Sequence, residues 1–197
     1  MASITDYIDF SQTSLHCPIA DAPSTTTVAA AAIAFNPIFW KANLNTHDSI
    51  VARQEYRNHF LTRIFGSPYN GCYVLAVAIF SLGILRDHLY NRALADQPLY
   101  QPVSQPYLAY GLFTTGNTLV LSSMWALGLT GTYLGDYFGI LMDAPVTGFP
   151  FNVTGSPMYW GSTLSFLAVA LYKGKVAGLL LTLEVFVCYW LALKWEE

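Results

Sequence analysis

Tyr107 to Thr130 is an apolar stretch without one charged residue, and four shorter apolar stretches accompany it: Thr25–Trp40, Tyr69–Leu85, Pro157–Tyr172 and Val176–Leu193. This pattern limits the fold more than any other feature. Crossing the hydrocarbon core takes about 20 apolar residues, with a lower limit near 17. Within lipid every backbone polar group must be satisfied internally, which a helix does by itself. The expected fold is all-α, a polytopic transmembrane helical bundle of four to five spans. Composition agrees: only 11% of the 197 residues are charged and the mean hydropathy is +0.39, whereas a soluble domain carries roughly a quarter charged residues.

Residues 1–24 read as a polar N-terminal arm and residues 25–197 as one transmembrane domain. The arm carries Asp6, Asp9 and Asp21 and lacks the basic start of a cleavable signal, so targeting falls to the spans themselves. The first apolar stretch is short and contains Asn36-Pro37, where a kink or an end is expected, because the residue before proline resists the α conformation. The formal charge of −3, without a basic cluster, excludes nucleic acid as a partner. Cys17, Cys72 and Cys188 lie far apart with no Cys-x-x-Cys and read as inert thiols. No histidine pair has ligand spacing, so no metal is expected. A soluble dinucleotide fold is excluded by the missing glycine fingerprint, and no Gly-x-Ser-x-Gly elbow is present.

Five crossings place the basic segment 41–68, the loop 131–156 and the C-terminus on one face. That face carries Lys41, Arg53, Arg57, Arg63 and Lys194; the other carries Arg86, Arg92, Lys173 and Lys175. The bias makes the first face cytosolic. Apolar residues alternate with the charges between Ile50 and Ile64, which suits an amphipathic surface helix. The sequon Asn152-Val153-Thr154 then faces the cytosol and stays unmodified. Lys173-Gly174-Lys175 is a turn so tight that the helices on either side must be antiparallel neighbours.

Between the third and fourth spans, Gly131 to Gly161 carries six glycines, three prolines, Asp136 and Asp143, and no basic residue. Its aromatic residues, Tyr133, Tyr137, Phe138, Phe151, Tyr159 and Trp160, read either as an interfacial belt or as faces that attract an onium centre, at about 0.5–2 kcal/mol each. Asp136, between Gly135 and Gly139, suits an amine or a ribose hydroxyl. The terminal Glu196-Glu197 pair reads as a solvated tail or as an acceptor for a diol. Glu184 stands inside the fifth span, where an acid is a functional candidate by default. The polar and small residues Thr114 to Thr118, Ser122 and Ser123 in the third span, and Gly161, Ser162 and Ser165 in the fourth, suit close helix packing and permit a homodimer.

Several motifs together resemble a known family. They are Phe35-Asn36-Pro37 with Trp40, Phe65-Gly66-Ser67-Pro68-Tyr69, Leu119 to Ser123, Gly131-Thr-Tyr-Leu-Gly-Asp-Tyr-Phe-Gly-Ile140, Phe149 to Asn152 and Pro157-Met-Tyr-Trp-Gly-Ser-Thr163. They resemble the phosphatidylethanolamine N-methyltransferases, most closely the short fungal phospholipid methyltransferases. The helical hairpin with its Glu-Glu pair is also similar to isoprenylcysteine carboxyl methyltransferase. The resemblance implies a methyltransferase domain over residues 25–197, in the endoplasmic reticulum membrane, with its active site on the cytosolic side. S-adenosylmethionine would be the methyl donor. The substrate would be a membrane lipid, mono- or dimethylated phosphatidylethanolamine, carried through the last two methylations or all three. A Gly-x-Gly in the third span and a Glu-Glu after the last are donor sites in the family. They fall here on Thr114-Thr115-Gly116, which keeps only the second glycine, and on Glu196-Glu197. Tyr159 and Gly161 join the donor set, while Asp136, with Tyr137 beside it, is the candidate base or amine anchor. On five crossings the triplet lies in the lumenal half of its span and the glutamates at the cytosolic edge. A methyltransferase for a prenylated cysteine carboxylate, or a non-catalytic scaffold, remains as an alternative.

Overall fold

The structure is a computed structural model; it describes Ile8, residues 24–41 and residues 51–194. The side chains of 36–41 and 51–54 are outside that description, as are Trp195, Glu196 and Glu197. Among the described residues all regular structure is helical: α1 (Thr25–Lys41), α2 (Val51–Asn58), α3 (Phe60–Phe65), α4 (Pro68–Ala95), α5 (Pro106–Thr132), α6 (Pro157–Lys173) and α7 (Val176–Lys194), with short 3-10 turns at Gln101–Val103 and Gly135–Phe138.

Proline opens α4, α5 and α6 within their first two positions, where its missing N–H costs nothing. At the end of α6, Gly174 adopts φ 62° and the Lys175 N–H returns to the Ala170 carbonyl, a left-handed helix stop. Two boundaries differ from the sequence reading. α1 runs through Asn36-Pro37 to Lys41 without a break. α4 does not end at Leu85 but continues through Arg86, Asp87 and Arg92 to Ala95 as one 28-residue helix. No glycine or proline stands between Arg86 and Ala95 to stop it. α5 bends at Gly128, whose φ 66° and ψ −179° leave the helical region.

Direction alternates along the bundle. At one end the Gln97 side chain donates to Thr26, Lys175 donates to the Gln97 carbonyl, Tyr100 N–H to Gly174, and Gln105 N–H to Leu171. The start of α1, the end of α4, the start of α5 and the α6–α7 turn therefore meet there. At the other end the Cys72 thiol donates to the Tyr133 carbonyl at 3.6 Å, and Phe138 packs on Cys72 and Leu75. The main core joins Ala29 and Ile33 of α1, Tyr90 and Leu94 of α4, Phe166 of α6, and Ala177, Leu181 and Val185 of α7. Tyr90 meets Phe166 edge-on at 4.6 Å, and its hydroxyl donates to the Phe166 carbonyl.

α4 and α7 are long and apolar enough to cross a membrane by length and composition. Much of their apolar surface, including Val77, Phe80, Ile84, Leu183 and Trp190, lies on the outside, consistent with a lipid surround. α1 and α6 have 17 residues each, and α5 carries a polar stripe. Between α1 and α4, the α2–α3 elbow turns at His59 with φ 49°. The Glu55 carboxylate, fully buried, accepts the N–H groups of Leu61 and Thr62 at the start of α3 and the Thr62 hydroxyl. Tyr56, Phe60 and Ile64 project outward from the elbow.

Candidate functional site

α5 has 27 residues and α6 has 17. Their antiparallel register, fixed by the Gln105–Leu171 bond and by the facing of Gly116 with Gly161, leaves the end of α5 projecting past the start of α6. Pro157, four residues before Gly161, then stands level with about residue 120, and the part of α5 beyond it spans about 18 Å at 1.5 Å per residue. Residues 133–156 fold back across this overhang, and beneath them lies a cavity of about 410 Å³. α4 contributes Ile79, Gly83 and Arg86; the chain leaving α5 contributes Gly131 to Leu134 and Asp136. Phe151, Tyr159, Ser162 and, from α7, Tyr189 complete the main walls.

The 3-10 turn that carries Asp136 is anchored from below. Phe138 is buried against α4. Gly135 sits so close to the Thr130 carbonyl that a Cβ would lie 2.7 Å from its oxygen. Leu134 takes a left-handed φ of 60°, an unusual backbone state for a branched residue. Asp136 is exposed and lines the cavity from a turn fixed at both ends. Burial pushes the Tyr133 phenol above its ordinary value, so it stays a neutral hydroxyl at neutral pH. The rings of Tyr159 and Tyr189 pack together, tilted by 33°, with centroids 4.8 Å apart.

A second cavity, of about 400 Å³, opens sideways between α4 and α5 over α6. Phe80, Ile84, Phe113, Val120, Met124 and Val169 make it largely apolar, and it shares Ile79, Gly83, Arg86, Tyr133, Met158 and Ser162 with the first. Phe80, Ile84 and Phe113 are about half exposed, so the cleft has an outer rim that would face lipid.

Asp136 and Tyr159 thus meet at one cavity; Tyr137, half-buried, is not among its walls. Thr114 and Thr115 are exposed, and their hydroxyls donate back to the carbonyls of Tyr110 and Gly111. Gly116 and Gly161 are buried against each other. None of Thr114, Thr115 and Gly116 lines the cavity that holds Asp136, and Gly116 lies level with the first turns of α6. Its neighbour Asn117 lines the lateral cleft. Glu196 and Glu197 lie outside the described residues, and Glu184 is half-buried on α7.

Arg86 and Tyr189 were not singled out from the sequence. Arg86 reads there as the charged end of a span, yet its side chain is only 14% exposed. It donates to the Tyr189 hydroxyl at 2.7 Å and to Asp87 at 2.8 and 2.9 Å, and its guanidinium lies 4.8 Å from the Phe166 ring centroid. The available signal was the uninterrupted helical pattern beyond Leu85.

The family described as phospholipid methyltransferase matches residues 104–197. The chain is 68% identical over 197 residues to the phosphatidyl-N-methylethanolamine N-methyltransferase of Emericella nidulans, spanning all of this chain and 88% of that protein. It is 57% identical over 166 residues to the enzyme of the same name from Saccharomyces cerevisiae, covering 83% of this chain and 77% of that one. Identity to the phosphatidylethanolamine N-methyltransferase of Homo sapiens is 45% over 172 residues, 86% of this chain and 82% of the relative. No solved structure matches the chain. The capped cavity is therefore built on a sequence shared with these enzymes over at least 83% of the chain, and the chain belongs to the phospholipid methyltransferase family.

Proposed function

We propose that this protein is an S-adenosylmethionine-dependent phospholipid N-methyltransferase that converts mono- and dimethylated phosphatidylethanolamine to phosphatidylcholine. The observation that carries the reading is one cavity with an acid, Asp136, and a pair of packed aromatic rings, Tyr159 and Tyr189, at the end of an apolar bundle. Similarity to the fungal enzymes over 83–100% of this chain supports the choice of lipid.

The residues present fit the donor: an onium centre is attracted to aromatic faces, and the polar backbone from Gly131 to Leu134 offers hydrogen-bonding groups along one wall. When bound, the donor supplies an electrophilic methyl group. Only a neutral amine can attack it, so each round needs a proton acceptor. Asp136 takes this proton, directly or through water, or holds the amine while solvent does so; Tyr137 braces the same turn. Tyr159 and Tyr189 face the positive charge. Glu196 and Glu197, which lie outside the described residues, would accept hydrogen bonds from the donor's hydroxyls. Gly116 and Gly161 serve the site by letting α5 and α6 approach. Most of the gain comes from holding amine and methyl in line away from water.

In this reading α1 and α4 to α7 cross the endoplasmic reticulum membrane, the fold is of the isoprenylcysteine-methyltransferase kind, and the Asp136 end faces the cytosol. The alternating helix directions and the apolar exteriors of α4 and α7 support it. The test is purified protein with labelled donor and unmethylated, mono- and dimethylated phosphatidylethanolamine offered separately. Transfer to the two methylated lipids is expected; transfer to none of the three defeats the reading. Transfer to the unmethylated lipid as well extends the activity to all three steps.

A further inference from the structure

We propose that Arg86 holds the phosphodiester of the lipid at the junction of the two cavities. This deepens, and rests on, the phospholipid methyltransferase reading. Among the described residues Arg86 is the only basic side chain lining either cavity, and it lines both. It also borders a small apolar hollow with Ala31, Ala32, Phe35, Leu82 and Leu85.

A guanidinium in this position is costly unless it has a task. Charged side chains at membrane depth are rare and mark functional paths. Arginine carries five N–H donors. Three are engaged here, Nε and one on Nη2 by a single Asp87 oxygen and one on Nη1 by Tyr189. One donor on each terminal nitrogen therefore remains, the fork that matches two oxygens of a phosphate. The fork is set in place before any ligand arrives, by the Tyr189 hydroxyl above and the Phe166 ring beside it.

The surroundings select the ligand. The lateral cleft, with Phe80, Ile84 and Phe113 at its rim, suits acyl chains. The end cavity holds Asp136 and Tyr159. In an ethanolamine lipid the phosphate joins these two parts, with the amine two carbons beyond the ester oxygen. A phosphate on Arg86 leaves the chains in the cleft and sends the amine toward Asp136. The donor's carboxylate is the other anion that the same fork accepts, so the experiment must separate the two.

Arg86→Gln, Arg86→Lys and Tyr189→Phe are compared with the wild type in mixed micelles, varying dimethylated phosphatidylethanolamine and donor independently. Donor binding is measured by calorimetry without lipid. Binding of a short-chain phosphatidylcholine, against a short-chain diacylglycerol, is followed by tryptophan fluorescence. The expected result is a lipid KM raised at least tenfold in Arg86→Gln and less in Arg86→Lys and Tyr189→Phe. Donor Kd should stay within twofold, and the phosphate-dependent preference in lipid binding should be lost in Arg86→Gln. An unchanged lipid KM in a folded Arg86→Gln overturns the proposal. So does a tenfold rise in donor Kd with lipid KM unmoved, which assigns Arg86 to the carboxylate. If Arg86→Gln does not fold, an unchanged lipid KM in both Arg86→Lys and Tyr189→Phe overturns it equally. A wild type that transfers no methyl group defeats the activity reading, while the fluorescence comparison still decides whether Arg86 recognises the phosphate.

Discussion

Gly116 and Gly161 face each other so closely that a Cβ on either would lie 2.5–2.6 Å from the other's carbonyl oxygen. The contact sets the register of α5 on α6, and with it the overhang that makes room for the cavity. A methyl group at either position must push two backbones apart, and overpacking of this kind costs about 1–3 kcal/mol. Gly161→Ala and Gly116→Ala are expected to lower the melting temperature of the detergent-solubilised protein and to reduce activity with it. A variant with normal melting and selectively weakened donor binding would instead mark these glycines as direct donor contacts.

Asp136→Asn keeps the shape of the turn, whose ladder is made by backbone groups, Gly139 N–H to Asp136 carbonyl and Ile140 N–H to Gly135. It removes the proposed acceptor for the amine's proton. General-base catalysis contributes about a hundred- to ten-thousand-fold, so kcat should fall within that range while donor Kd changes little. Steady-state rates with calorimetric donor binding check this; a kcat within threefold of wild type removes Asp136 from the proton path.

Glu55 has no direct part in the chemistry but closes the α2–α3 elbow. Its carboxylate only accepts, from the N–H groups of Leu61 and Thr62 and from the Thr62 hydroxyl. Glu55→Gln turns an NH2 toward these donors, and a buried mismatch costs about 1–3 kcal/mol. Amide exchange at Leu61 and Thr62 should quicken by tenfold or more, with helix α7 unaffected. Unchanged exchange at both amides would show that the elbow is held by its apolar contacts instead.

The direction of the bundle predicts which loops a membrane-impermeant thiol reagent reaches. In sealed microsomes, a cysteine placed at Asp143 should react from the cytosolic side, and one at Ser104 only after the membrane is opened. The reverse pattern would invert the topology, and reaction of both from outside would remove a crossing.

The spans of α6 and α7 were legible almost to the residue, because proline, a glycine stop and uninterrupted apolar runs are local signals. The reach of α4 was not, since charge at Arg86 and Asp87 resembles a membrane boundary although nothing there breaks a helix. Asp136 could be picked out from its glycines, but its shared cavity with Tyr159 depends on how far α5 overshoots α6, a length difference that acts only in three dimensions. The same overshoot sets the cavity apart from Thr114–Gly116, none of which lines it. The Arg86–Tyr189 bond spans more than half the chain, and no periodicity announces such a pair.

The two mouths that meet at Arg86 give the enzyme separate traffic. One lies beneath the loop and the other between α4 and α5; in the proposed orientation they would open toward water and toward the bilayer. Spent donor would then leave by one route while the lipid stays moored in the other. Successive methylations would become a processive event, with the half-finished head group never returned to the membrane pool. A pulse of labelled donor followed by unlabelled donor reads this directly: most label entering at the first step should emerge in phosphatidylcholine, undiluted by added dimethylated lipid.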